Sequence, residues 1–400
     1  MSVYNSRYYY LNKVLLSIVG LWPYQSRLEG NVMAIITLLF AGGYSGLELW
    51  SLIAGITDLS IIIENLSSTL INIMVIGKMV NNLYNNYKMK DLLDRIEETW
   101  KMIPTGPENE ILRNFAEKYA EESRSYTVHY ALVLYAVWIS FSMMPIVISR
   151  LYTFLPTNET FETKYLYRVE HVIDVEKYFT LLMLLAIIGI FYIVSIAIAV
   201  DSVFVLCMQH NTALFEEVRF NMERIRSLDC VQVEAQWMLK PNVANDEAYH
   251  IIIGCIKSYK DALNFFDVLA SAYSTFFLLL LGMVVVCLSF SAAQLLLLDN
   301  QLDAIIRIVA LNVAEVIHIY YLSLMSQQLI DYSSGIQEVI YNCDWYAISL
   351  RSRQLLKFTL LRVTKPCQIT AGKMYVMSME NFGSIIKACL SYFTMLLSLR

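Results

Sequence analysis

The residues best placed to do chemistry lie in the last apolar block, "MENFGSIIKACLSYFTMLLS". Glu380, Ser384, Lys387, Ser391, Thr394 and Ser398 recur at steps of 4, 3, 4, 3 and 4, which puts all six on one stripe of a helix. Ile385, Ile386, Leu390, Phe393 and Leu397 fall on the opposite face. A charge at the centre of a bilayer costs about 2.5–3.5 kcal/mol on an insertion scale, so Lys387 must face protein or water. Two readings follow. In one, the stripe packs against neighbouring helices through small residues. In the other, copies of the helix surround an axis, the stripe meets water, and apolar rim residues such as Met395 or Leu396 close the path by dewetting. One chain offers one such helix, so a pore requires an oligomer. The chain would then end at the outer mouth.

No other chemistry competes with this stripe. H-E-x-x-H, G-x-S-x-G and Walker-type loops are absent, and the five histidines are scattered singly. The remaining ionisable residues singled out in apolar blocks are Glu48, Glu64 and Glu315. Each is expected to mark a water-lined or helix-packed face, with a solvated place near the outer interface as the alternative for Glu48 and Glu64; Glu315 is expected deeper. None of the seven cysteines forms a C-x-x-C pair or falls in a segment expected outside, so neither a disulfide framework nor zinc is expected. The reading is of a non-enzyme with no cofactor and no metal. The net charge of −5 gives no support to a nucleic-acid partner.

Composition fixes the elements that carry the stripe. The 400 residues are 57% hydrophobic and 16% charged, with a mean hydropathy of +0.50. Soluble domains carry about 25% charged residues. The apolar residues cluster in blocks of about 20 residues or more, the length that crosses a hydrocarbon core roughly 30 Å thick. The reading is an all-α polytopic membrane protein with seven transmembrane helices. The spans are expected at 32–56, 59–83, 126–151, 178–206, 268–297, 304–325 and 374–399. Residues 1–31 form a cytoplasmic arm, with "VLLSIVGLW" lying at the interface, and 326–373 form a cytoplasmic helical region. The whole is one membrane domain.

Orientation follows from Lys and Arg. Of the 30 basic residues, 23 fall in the arm and in the segments after spans two, four and six, counting from Lys78 in the second. The N-terminus is therefore expected in the cytoplasm and the C-terminus outside. The sequon at Asn158 lies in a segment expected outside, so it is a glycosylation candidate. The sequon at Asn65 lies within span two and is expected to be unused. This orientation is the reverse of a G-protein-coupled receptor, and the Asp-Arg-Tyr and Asn-Pro-x-x-Tyr signatures are missing.

The tail "KPCQITAGKMYVMSMENFGSIIKACLSYFTMLLSLR" resembles the last helix of insect odorant receptors. Lys365-Pro366, Thr370-Ala371-Gly372, Phe382, Lys387 and Ser391-Tyr392-Phe393-Thr394 carry the likeness, together with "LLSIVGLWPYQ" and "NCDWY" earlier in the chain. The resemblance implies a tetrameric, odorant-gated, non-selective cation channel whose subunits each contribute their last helix to a shared pore. It implies a co-receptor partner, a small volatile odorant, contact with membrane lipid, and a plasma-membrane location in sensory dendrites. The chain lacks the long loop of co-receptors after span four, so it resembles the odorant-binding subunit. Ser391-Tyr392 without a following Gln-Phe separates it from gustatory relatives, which remain one alternative; a transporter is the other. Pore residues are then Lys387, Ser391, Thr394, Met395 and Ser398, with Met395 at the family's gate position. The odorant would lie in the outer half of spans two, three, four and six. Its candidates are Ser68, Asn72, Trp138, Ser142, Met143, Tyr178, Met183, Ile187, Ile306 and Val309.

Overall fold

A computed structural model describes residues 3–103, 110–154, 165–169, 171–227, 246–297 and 302–398. They form ten α-helices and one short hairpin. The helices are α1 (Tyr10–Ile18), α2 (Arg27–Ala54), α3 (Leu59–Tyr84), α4 (Asn86–Met102) and α5 (Glu110–Phe154). They continue as α6 (Val175–Glu223), α7 (Glu247–Leu297), α8 (Leu302–Asn342), α9 (Leu350–Val363) and α10 (Met379–Ser398). Between α9 and α10, Thr370–Ala371 pairs antiparallel with Tyr375–Val376.

Local sequence explains the helix ends. The Ser26 hydroxyl caps α2 by accepting from the Glu29 N–H at 3.3 Å. The Asp174 carboxylate caps α6 through the Lys177 N–H at 3.2 Å, and Ser349 caps α9 through Ser352 at 3.2 Å. Pro366, three residues past the end of α9, blocks its continuation.

Among the described residues, five helices are long and apolar enough to cross a membrane: α2, α6, and the greater part of α5, α7 and α8. The 49 residues of α6 extend roughly 74 Å at 1.5 Å per residue, more than twice the hydrocarbon thickness. The expected spans four, five and six each occupy one end of a helix longer than a hydrocarbon core is thick. α6 is the central post and packs against α1, α2, α3, α5, α7 and α8. Its stretch Ile196–Gln209 is buried on nearly every face except Ala197. The short α1 lies against it, with the Asn12 amide donating to the Ser202 carbonyl at 3.1 Å. Gly189 makes the crossing with α2 possible, because a β-carbon there would collide with Tyr44.

Three sequence expectations differ from the fold. The last helix begins at Met379 rather than Met374, because Lys373 and Gly372 take positive φ and turn the chain into the hairpin. Gly372 donates its N–H to the Ser274 carbonyl of α7 at 2.9 Å, and a β-carbon on it would come within 2.6 Å of Leu278. Lys78 is not a loop base: it sits inside α3 and is buried. Glu48 is not solvated at an interface but fully buried in the bundle. Glu64 is half-buried and pairs with Arg168 at 3.5 Å. Asn65 is also buried; its amide donates to Ser51 Oγ at 3.0 Å and to the Arg168 carbonyl at 2.9 Å, which leaves no room for a glycan. Asn158 lies outside the described residues.

Candidate functional site: a cavity inside the bundle and a polar stripe outside it

α3, α5, α6 and α8, with Tyr44 of α2, enclose a cavity of roughly 100 Å³. Apolar and aromatic side chains make most of its wall, among them Met74, Leu134, Trp138, Phe141, Ile190 and Leu311. The indole N–H of Trp138 donates to the Ile187 carbonyl at 3.1 Å, which fixes the ring edge against α6. Phe191 packs on the same ring with centroids 5.4 Å apart. Beside the cavity, Tyr165, Leu166 and Tyr167 are buried. Tyr167 stacks edge-on against Tyr44 at 5.7 Å, and the Tyr165 hydroxyl donates to the Leu182 carbonyl at 2.9 Å.

Polar groups gather at the two ends of the cavity. At one end Ser68 and Asn72 donate to the two oxygens of Glu48. At the other, Lys78 Nζ donates to both oxygens of Asp201 at 2.6 and 2.7 Å and meets His318 Nε2 at 2.7 Å. The Tyr130 hydroxyl donates to Asp201 Oδ2 at 2.7 Å, and His318 Nδ1 lies 3.4 Å from Glu315 Oε1. A bare charge in this setting is prohibitive, whereas a paired and hydrogen-bonded one is tolerated.

Of the residues expected at the odorant site, Ser68, Asn72 and Trp138 line this cavity. Ile187 contributes its carbonyl to Trp138. Ser142 and Met183 are buried outside the lining, Met143 is half-buried, and Tyr178, Ile306 and Val309 are exposed on the outside of the bundle. The cavity takes in only part of that set. Lys78, Tyr130, Asp201 and His318 escaped notice because their partners come from four different helices. Sequence spacing carries no signal for such a cluster.

α10 behaves differently. It packs against α7 and α8 through Ile385 and Phe382, the latter edge-on to Tyr320 at 5.9 Å. Glu380, Ser384, Lys387, Ser391, Thr394 and Ser398 are all exposed on the free side of the helix. Ser391 and Thr394 bond only to carbonyls of their own helix. Met395, beside the stripe, is 56% exposed. Leu397 lies where no side chain is described.

A family model described as "7tm Odorant receptor" matches residues 58–390. The chain belongs to the insect odorant receptor family. The receptor is 28% identical over 148 residues to odorant receptor Or2 of Anopheles gambiae, covering 36% of this chain and 37% of that one. It is 26% identical over 82 residues to the odorant receptor coreceptor of Drosophila melanogaster, 20% of this chain and 17% of that one. The receptor therefore matches only a small part of the length of these curated relatives. In three dimensions it matches the olfactory receptor OR5 of Machilis hrabei in complex with eugenol, with a TM-score of 0.71, 14% identity, and 98% and 97% of the two chains covered. That likeness shows the fold. Family membership also places the receptor among membrane receptors and not among enzymes.

Proposed function

We propose that this receptor is the odorant-binding subunit of an odorant-gated, non-selective cation channel. A small volatile molecule occupies the cavity between α3, α5, α6 and α8, and α10 lines a pore shared with co-receptor subunits in a hetero-tetramer. Seven helices, α2, α3, α5, α6, α7, α8 and α10, cross the plasma membrane of a sensory dendrite, with the N-terminus inside and the C-terminus outside. The observation that carries the reading is the cavity: a mostly apolar space between four helices with a few polar groups suits a small organic ligand. The free stripe of α10 supports the second half, because a lysine facing lipid is costly and no partner covers Lys387 among the described residues. A structure of the same fold holds eugenol, which accords with a small organic ligand here. The test is whole-cell recording from cells expressing the receptor with and without a co-receptor. Odorant-evoked cation current is expected only in co-expressing cells. Metabotropic signalling without direct current would overturn the reading.

A further inference from the structure

Resting on the reading of the cavity as the odorant site, we infer that Glu315 anchors the ligand, and that the receptor selects small apolar molecules carrying a hydrogen-bond donor: an alcohol, a phenol or a protonated amine.

The inference comes from counting donors and acceptors at the Lys78 end. An ammonium group has three hydrogens and no lone pair. Lys78 directs them to Asp201 Oδ1, Asp201 Oδ2 and His318 Nε2. His318 Nε2 must then accept, which puts the imidazole proton on Nδ1, facing Glu315 Oε1 at 3.4 Å. In that tautomer the 3.5 Å approach of Nε2 to Asp201 Oδ2 adds no bond. The Tyr130 hydrogen is committed to Asp201 as well. Every donor at this end is therefore used inside the wall.

The acceptors are not all used. Asp201 receives Lys78 twice and Tyr130 once, so it is satisfied. Glu315 receives one long contact, and its second oxygen has no partner among the described residues. Its side chain is only 6% exposed, and the residue lines the cavity. A buried carboxylate with unfilled lone pairs is unfavourable. A ligand that brings a hydrogen satisfies it, while a carbonyl, ester or ether oxygen would set acceptor against acceptor. At the opposite end the Ser68 hydroxyl and one of the two Asn72 N–H groups are used on Glu48, so the preference for a donor is a property of the Glu315 end alone. Discrimination by an unmatched buried polar group is far steeper than discrimination by a methylene.

The experiment uses the full-length receptor co-expressed with a co-receptor and matched probes on two skeletons: 1-hexanol, hexylamine, hexanal and methyl hexyl ether on a hexyl chain, and phenol and anisole on a benzene ring. Half-maximal concentrations are measured for wild type, Glu315→Gln and Trp138→Ala, with surface level and co-receptor agonist current recorded in parallel. Hexanol and phenol are expected to be at least about tenfold more potent than the ether and anisole, a difference of about 1.4 kcal/mol. Hexylamine outperforming hexanol would assign the preference to charge, and the reverse to a neutral donor. The Gln variant gains an N–H donor of nearly the same shape, so it is expected to lose the preference and gain a response to hexanal. A gain of response does not come from misfolding. A wild-type receptor that answers the ether, anisole or hexanal as well as the donors, or that is silent to every donor, overturns the role of Glu315. If Trp138→Ala still shifts potency in that case, the cavity reading survives alone. If neither variant moves any curve, the cavity reading itself fails.

Discussion

Lys78 and Lys387 are both lysines on helices of one apolar bundle, yet their surroundings are opposite. Lys78 is 2% exposed and spends its hydrogens on Asp201 and His318. Lys387 is exposed on α10, in line with five more polar residues that nothing among the described residues covers. The first charge is complete within the subunit. The second is incomplete until water or another subunit meets it. In the proposed function the difference divides the work: recognition is assigned inside one subunit and conduction between subunits.

Breaking the inner region should have the largest effect. Lys78→Met leaves Asp201 buried and uncompensated, a loss expected to be about 3–5 kcal/mol. Surface expression should collapse, and the double change Lys78→Met with Asp201→Leu should recover part of it. Surface biotinylation measures both. Equal losses in the single and double variants would break the claim that the two charges act as a pair.

The next effect concerns the hairpin that ties α10 to the inner region. Gly372 has φ near 59° and lies against Leu278. A β-carbon in the left-handed region costs about 1–2 kcal/mol before any clash. Gly372→Val should lower surface level severalfold, whereas Gly254→Ala, where a β-carbon meets open space, should not. Immunostaining of tagged receptors compares them.

A change on the cavity wall should be smaller and more selective. Trp138→Ala removes a ring held by Phe191 and the Ile187 carbonyl. Odorant potency should shift by about tenfold, equivalent to about 1.4 kcal/mol, while current evoked by a co-receptor agonist stays intact. Dose–response curves for both agonists decide it.

Much of this division was legible in the sequence. The apolar blocks announced the long helices, and the polar steps from Glu380 to Ser398 announced a free stripe on α10 that the structure leaves uncovered. The inner region was not legible. Lys78 is followed by a polar run, "NNLYNNYK", and so reads as the start of a loop. Asp201 is separated from it by 123 residues. Pairing across helices leaves no periodicity to read. Choosing the outer halves of four spans also could not fix helix rotation. Tyr178, Ile306 and Val309 therefore fell on the outside of the bundle, while Leu134 and Leu311 face the cavity.

The smallest expected effect is at the gate. Met395 borders the stripe and points nearly the same way as Ser398. In a mixed tetramer this subunit supplies only part of a hydrophobic ring. Met395→Ser should therefore raise basal current modestly, less than twofold by the scale of a partial ring around a dewetted constriction. Leak current normalised to surface level measures it.

The most direct test of the central claim is cysteine accessibility along α10, in a Cys389→Ala background co-expressed with a co-receptor. Single cysteines at Ser391, Thr394 and Ser398 sample the stripe, and cysteines at Ile386 and Phe393 sample the opposite face. Odorant-evoked current is recorded before and after a charged, water-soluble thiol reagent applied from outside. Modification of current at the three stripe positions and none at Ile386 or Phe393 is the expected result. Equal reactivity on both faces, or none on the stripe, would contradict the assignment of α10 to a water-filled path and return the stripe to helix packing.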